Sequence, residues 1–181
     1  PEVSIFYRFA ISATLLFALC RLFRVQANFS RNDHLWLLIQ GIFNFSLNYI
    51  FTYYAEAKVA SGIVALTFSL LPYFNSLGMR IIFRKKISLK IFVGMLFGAV
   101  GLFVIFQSEF NSSKDAINGI VLGIIATFFA SLGNLTSVRH FNKGHHLLQI
   151  LAWSMFYGSL FSAAICFVFG KQLTWDPHPY Y

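Results

Sequence analysis

Gln40, Asn44, Asn48 and Thr52 recur at every fourth position inside an otherwise apolar run. On a helix that spacing stacks them into one slowly drifting polar stripe, about 18 Å long. Carboxamides and hydroxyls donate and accept hydrogen bonds, so the stripe can meet a polar solute without carrying charge. An amide facing lipid is costly, so the stripe must face protein or a watery cavity. Interhelical hydrogen-bond glue is the plainer use of such residues. The length of the stripe favours a lined pathway.

Other apolar runs carry similar polar insertions. Ser4, Arg8 and Ser12 repeat the spacing in the first run. Arg8 lies only about 7–8 Å along the helix from the end, where it can also snorkel to the interface. Pro72 stands among Ser61, Ala65, Ser69, Asn75 and Ser76. A proline there removes one backbone bond, frees the Phe68 carbonyl and bends the helix, either to line a cavity or as a structural kink. Gly94, Gly98 and Gly101 have the small-residue spacing that lets two helices pack closely. Thr127, Ser131 and Asn134 share a face with Gly119 and Gly123. Ser154, Gly158 and Ser162 run beside Trp153 and Tyr157. Arg8, Asn44, Asn48, Ser69, Asn75, Asn134, Trp153 and Tyr157 are polar or amphipathic within apolar spans. They are the candidate lining of a binding cavity.

Catalysis finds no support. There is no phosphate-binding glycine loop, no nucleophile elbow, no paired carboxylate and no Cys/His cluster. No catalytic residue, metal ligand or cofactor is expected. His145-His146 lies in a basic loop without the spaced ligands a metal needs. Asn44-Phe-Ser and Asn134-Leu-Thr match glycosylation sequons but fall inside apolar runs. Cys20 and Cys166 sit near run ends and read as small buried hydrophobes. The chain opens close to an apolar run, with no visible signal peptide.

The elements that position these residues follow from composition. Of 181 residues, 57% are hydrophobic and 11% charged, and mean hydropathy is +0.67. Soluble domains average about 45–50% apolar and about 25% charged. Lipid is the natural solvent for the excess. Six segments approach the roughly 20 apolar residues a span requires: Val3–Phe23, Leu35–Ala55, Ala60–Phe83, Ser88–Phe106, Ala116–Val138 and Leu148–Phe169. Strict alternation is absent and only helices satisfy their own backbone in lipid, so the fold class is an all-α integral membrane protein with six transmembrane helices.

Charge orients the spans. Arg21, Arg24, Arg31, Arg80, Arg84, Lys85, Lys86, Lys90, Arg139 and Lys143 fall in alternate loops. The opposite loops hold Lys58, Lys114 and Lys171, with Glu2, Glu56, Glu109, Asp115 and Asp176. The basic loops are therefore expected in the cytoplasm and both chain ends outside. The net charge of +8 is spread over these short clusters rather than one patch, so nucleic acid is not an expected partner. Tyr49, Tyr53 and Tyr54 fit an interfacial aromatic belt, or a closure over a bound solute. Gln107–Asn118 is the expected boundary between two structural halves.

A family pattern runs through the same stretch. Asn48-Tyr49, Tyr54-Ala55-Glu56-Ala57-Lys58-Val59-Ala60-Ser61-Gly62, Leu71-Pro72-Tyr73-Phe74-Asn75-Ser76-Leu77, the turn Arg84-Lys85-Lys86-Ile87-Ser88 and Gly94-x3-Gly98-x2-Gly101 follow in order. This order resembles the EamA-type proteins of the drug/metabolite transporter superfamily. Pro1 with Arg8 resembles the start of that family's second span, and Thr174-Trp175-Asp176-Pro177 the lead into its eighth. The family often carries an acidic residue in the basic turn, which this chain lacks.

The resemblance implies a ten-helix bundle of two inverted five-helix repeats. Residues 1–107 would hold helices 2–5 of the first repeat, without its first helix. Residues 116–181 would hold helices 6–7 of the second and the lead into 8. It implies alternating-access transport of small metabolites, amino acids or drugs, across an inner membrane, with export as the direction. The expected partners are a small-molecule substrate and the lipid bilayer, with a homodimer left open. Alone, these residues are expected to insert without transporting. A rival reading makes the chain a non-transporting membrane subunit packed against a partner protein, its amide stripe then serving as glue.

Overall fold

The computed structural model describes residues 2–25, 29–110 and 114–170, and the side chains of 106–110 and 114 are left aside. The tail Thr174–Pro177 lies outside the described residues. Among the described residues eight α-helical stretches appear: α1 (Glu2–Leu22), α2 (Arg31–Ile42), α3 (Asn48–Glu56), α4 (Ser61–Thr67), α5 (Leu71–Phe83), α6 (Leu89–Phe110), α7 (Lys114–Asn142) and α8 (Leu147–Val168). A π-helical turn, Phe43–Leu47, joins α2 to α3, and a 3-10 turn, Phe68–Leu70, joins α4 to α5. Each joined pair thus makes one long rod.

The rods coincide with the six apolar segments to within about a turn. Arg31–Glu56, Ser61–Phe83, Asp115–Asn142, Leu147–Val168 and α1 are long and apolar enough to cross a membrane, and α6 is apolar over Leu89–Ile105. The chain is an all-α membrane protein. Within the expected boundary at Gln107–Asn118, residues 107–110 belong to the end of α6 and residues 114–118 to the start of α7, and 111–113 lie outside the described residues.

The larger core cluster lies where α1, the α2–α3 rod and α8 meet, and a second one, around Leu102 and Ile120, lies between α4, α6 and α7. Ile5, Phe9, Phe45 and Ile50 are buried together in the first, with Tyr49, Leu151 and Met155 packed on them. In lipid, association depends on close packing and interhelical hydrogen bonds rather than on the hydrophobic effect. Gly41 and Gly158 supply the first. A Cβ built on Gly41 would lie 2.8 Å from the Gly158 nitrogen and closer still to the Ser154 carbonyl oxygen. The backbones of α2 and α8 therefore touch. One helical turn further along, the hydroxyls of Ser46 and Ser162 share a hydrogen bond of 2.7 Å across the same seam. Large apolar side chains such as Leu15, Phe97, Phe103 and Phe167 are exposed, as lipid-facing positions should be.

Two expectations need correction. The Phe68 carbonyl is not left free by Pro72, because the 3-10 turn brings the Leu71 N–H to it. Pro72 then stands in the first turn of α5, where a missing N–H costs nothing. The glycine series Gly94, Gly98 and Gly101 is not a continuous packing face either. A Cβ at Gly94 or Gly101 would meet nothing within 4 Å, while Gly98 lies against the Tyr73 hydroxyl, which donates to the Met95 carbonyl.

Candidate functional site

The π turn decides how the amide stripe is presented. In an α-helix the Asn48 N–H would bond the Asn44 carbonyl; here it reaches back to Phe43. The Asn48 side-chain amide donates to the Asn44 carbonyl instead, at 3.3 Å. The Thr52 hydroxyl does the same one turn on, at 2.8 Å from the Asn48 carbonyl. The widened turn also splits its residues between neighbours. Phe45 and Ser46 meet α1 and α8, whereas Phe43 and Asn44 meet α7.

Gly133 makes the meeting with α7 close. A Cβ there would lie 2.5 Å from the Asn44 Cβ. The next residue, Asn134, accepts from the Asn44 amide at 3.5 Å. One turn earlier on α7, the Ser131 hydroxyl donates to the Asn75 side-chain oxygen of α5 at 2.8 Å. Asn44, Asn134 and Asn75 thus belong to one polar layer across three rods, with Asn48 one turn from Asn44. Ser131 completes it, although its spacing in the sequence marks only a shared face.

The layer is not closed. Both amide atoms of Gln40 and the side-chain oxygen of Asn48 are buried without a hydrogen-bond partner among the described residues. The Ser154 hydroxyl is likewise unpaired. Gln40 is 1% exposed and Asn48 7%. An unsatisfied buried polar group costs about 1–3 kcal/mol, so such atoms call for a partner such as water, an ion or a bound molecule.

The remaining candidates form separate groups. Trp153 and Tyr157 stack on α8 at 5.8 Å between ring centroids. His34 of α2 joins them, its Nδ1 3.0 Å from the Tyr157 hydroxyl and its ring edge-on to Trp153. Sequence reasoning missed His34, since a lone histidine at a helix start carries no distinguishing spacing. Arg8 is exposed on α1, with its guanidinium 5.5 Å from the centre of the Tyr49 ring. Its partner in the stripe, Ser12, bonds its own helix at the Arg8 carbonyl. Ser69 is exposed on the 3-10 turn and does not join the layer. Tyr54 donates to the Glu2 carboxylate at 2.7 Å, which ties the belt of tyrosines to the start of α1.

An apolar cavity of about 320 Å³ opens between α2, α5 and α7 nearer their basic ends. Trp36, Ile39, Phe43, Ile82, Leu132 and Arg139 line it, and the Arg139 guanidinium lies 4.7 Å over the Trp36 ring. It contains none of the eight candidates. Phe43, next to Asn44, connects its wall to the polar layer.

In comparison with known proteins, residues 1–107 fit the EamA-like transporter family. No curated protein and no solved structure matches the chain.

Proposed function

The chain belongs to the EamA-like transporter family, and from that premise we propose that it is a secondary carrier of small metabolites, amino acids or drug-like compounds, in the cell inner membrane. The unpaired amide atoms of Gln40 and Asn48, beside the Asn44–Asn134 contact, carry the reading. A polar solute at this depth would replace the partners those atoms lack. The satisfied pairs, Asn44 with Asn134 and Ser131 with Asn75, then hold the site's walls together. Movement would follow alternating access, one repeat rocking against the other around the polar layer, in the export direction. Trp153, Tyr157 and Arg8 would meet the solute on entry or exit rather than at the layer itself.

Transport by the intact protein in proteoliposomes tests this directly. With a panel of labelled amino acids and amphipathic drugs, at least one compound should show saturable counterflow that unlabelled compound competes. An absence of flux for the whole panel from well-inserted protein would favour the non-transporting subunit instead.

The orientation carries its own test. The basic loops would face the cytoplasm. In a background lacking Cys20 and Cys166, a cysteine at the exposed Glu56 position should react with an impermeant maleimide on intact cells. One at the exposed Ser88 position should react only after permeabilisation. The reverse pattern would invert the topology.

A further inference from the structure

The basic ends of α2 and α7 bring one acidic group together with two histidines that lie more than a hundred residues further along the chain. Asp33 stands in the first turn of α2, His140 in the last turn of α7 and His145 in the loop before α8. Their potential ligand atoms all lie within 4.8 Å of one another, with His145 Nε2 3.7 Å from an Asp33 carboxylate oxygen. His145 and His146, adjacent in sequence, separate here: His146 turns its Nδ1 to the Leu148 N–H and caps α8, while His145 joins the cluster.

His140 supplies a second, independent observation. It is 0% exposed, and neither ring nitrogen has a hydrogen-bond partner among the described residues. The Nε2 of His145 is likewise buried and unpaired by hydrogen bonds. A neutral imidazole has one donor and one acceptor to satisfy, and buried nitrogens without partners are rare. Phe29 packs edge-on to the His140 ring and against His145, fixing both in place on one side.

We propose that Asp33, His140 and His145 form a binding site for a divalent transition-metal ion, with Zn²⁺ the best match. Two imidazoles and a carboxylate are a borderline nitrogen and oxygen set, which suits zinc, and three protein ligands leave a fourth position for water. Tetrahedral zinc with bonds of about 2.0–2.2 Å sets its ligand atoms about 3.3–3.4 Å apart, so the widest pair must close by about 1.5 Å. Asp33 is already held in place by the Ser30 hydroxyl and backbone N–H in a capping box. Lys143 pairs with its other oxygen, and its ammonium must swing out for the ion to enter. That side chain is 41% exposed, which leaves it free to do so. The ion would clamp α2 to α7 and the α7–α8 loop at the end of the bundle.

The test uses the purified protein in detergent, stripped with chelator, loaded with Zn²⁺ and desalted before metal analysis. About one Zn²⁺ per chain should remain, and Co²⁺ in its place should show the intense visible absorption of tetrahedral coordination. His145→Ala removes a side chain that is 17% exposed and should weaken binding by at least about 10-fold, the least that loss of even an outer-sphere partner costs. His140→Ala should do the same. His146→Asn, which keeps a capping acceptor, should bind as wild type, and Lys143→Ala at least as tightly, since it frees Asp33. Should His140→Ala fail to fold, His145→Ala with the Co²⁺ spectrum still decides. Zinc retained no better than by an unrelated detergent-solubilised protein, or retained equally by His145→Ala, would overturn the site.

Discussion

Gly41→Leu is expected to remove most of the folded protein from detergent solution. A Cβ at this position meets backbone on the facing helix: the Gly158 nitrogen at 2.8 Å and the Ser154 carbonyl closer. The Tyr157 Cβ at 3.1 Å closes the third side. Flexible side chains can rotate away from an added group, but two helix backbones can only separate. Overpacking a tight core costs about 1–3 kcal/mol and occasionally more, and here the separation would also pull apart the Ser46–Ser162 bond and the His34–Tyr157 contact. We expect a loss at or above the top of that range. Gly94→Ala is the matched control. Its Cβ enters open space, so the helix preference for alanine, worth up to about 1 kcal/mol, should leave stability equal or slightly raised. Thermal unfolding followed by recovery of the monodisperse peak reads both. A Gly41→Leu protein that melts with wild type would show that α2 and α8 do not cross at this point.

The contrast between these two glycines also shows what the sequence could and could not reveal. Gly94-x3-Gly98-x2-Gly101 has the spacing of a packing face, yet only Gly98 has a neighbour at hand among the described residues. Gly41 and Gly133 look like isolated glycines in apolar runs, yet a Cβ at either would run against the backbone of a neighbouring helix. Spacing reports which face of a helix is small. Which neighbour arrives at that face is a tertiary matter.

The spans themselves were legible to within about a helical turn, because bilayer thickness forces each helix to announce itself in hydropathy. The π turn at Phe43–Leu47 was not, since a one-residue widening leaves the apolar pattern unchanged. It nevertheless determines which amides face α7. The polar layer was half legible. Asn44, Asn75 and Asn134 were marked as polar residues in lipid-length runs, but their linkage through Ser131 depends on how α5 meets α7. The cluster of Asp33, His140 and His145 was illegible for the same reason, because metal-ligand spacing read along the chain cannot see partners from another helix.

Asn48→Leu, measured at once for transport affinity and for stability, tests the central claim that the polar layer receives the solute. Leucine keeps nearly the same volume while removing the amide donor and the unpaired buried oxygen. If that oxygen contacts substrate, affinity in the intact carrier should fall by about 1–3 kcal/mol, roughly 5- to 150-fold. Stability should hold or rise, because the bond lost to the Asn44 carbonyl, worth about 0.6 kcal/mol in a membrane, is offset by relief of the stranded oxygen. Substrate dependence of counterflow in proteoliposomes supplies the first quantity and melting in detergent the second. The account predicts weakened affinity at undiminished stability; wild-type affinity with a lowered melting temperature would make the layer structural glue and contradict it.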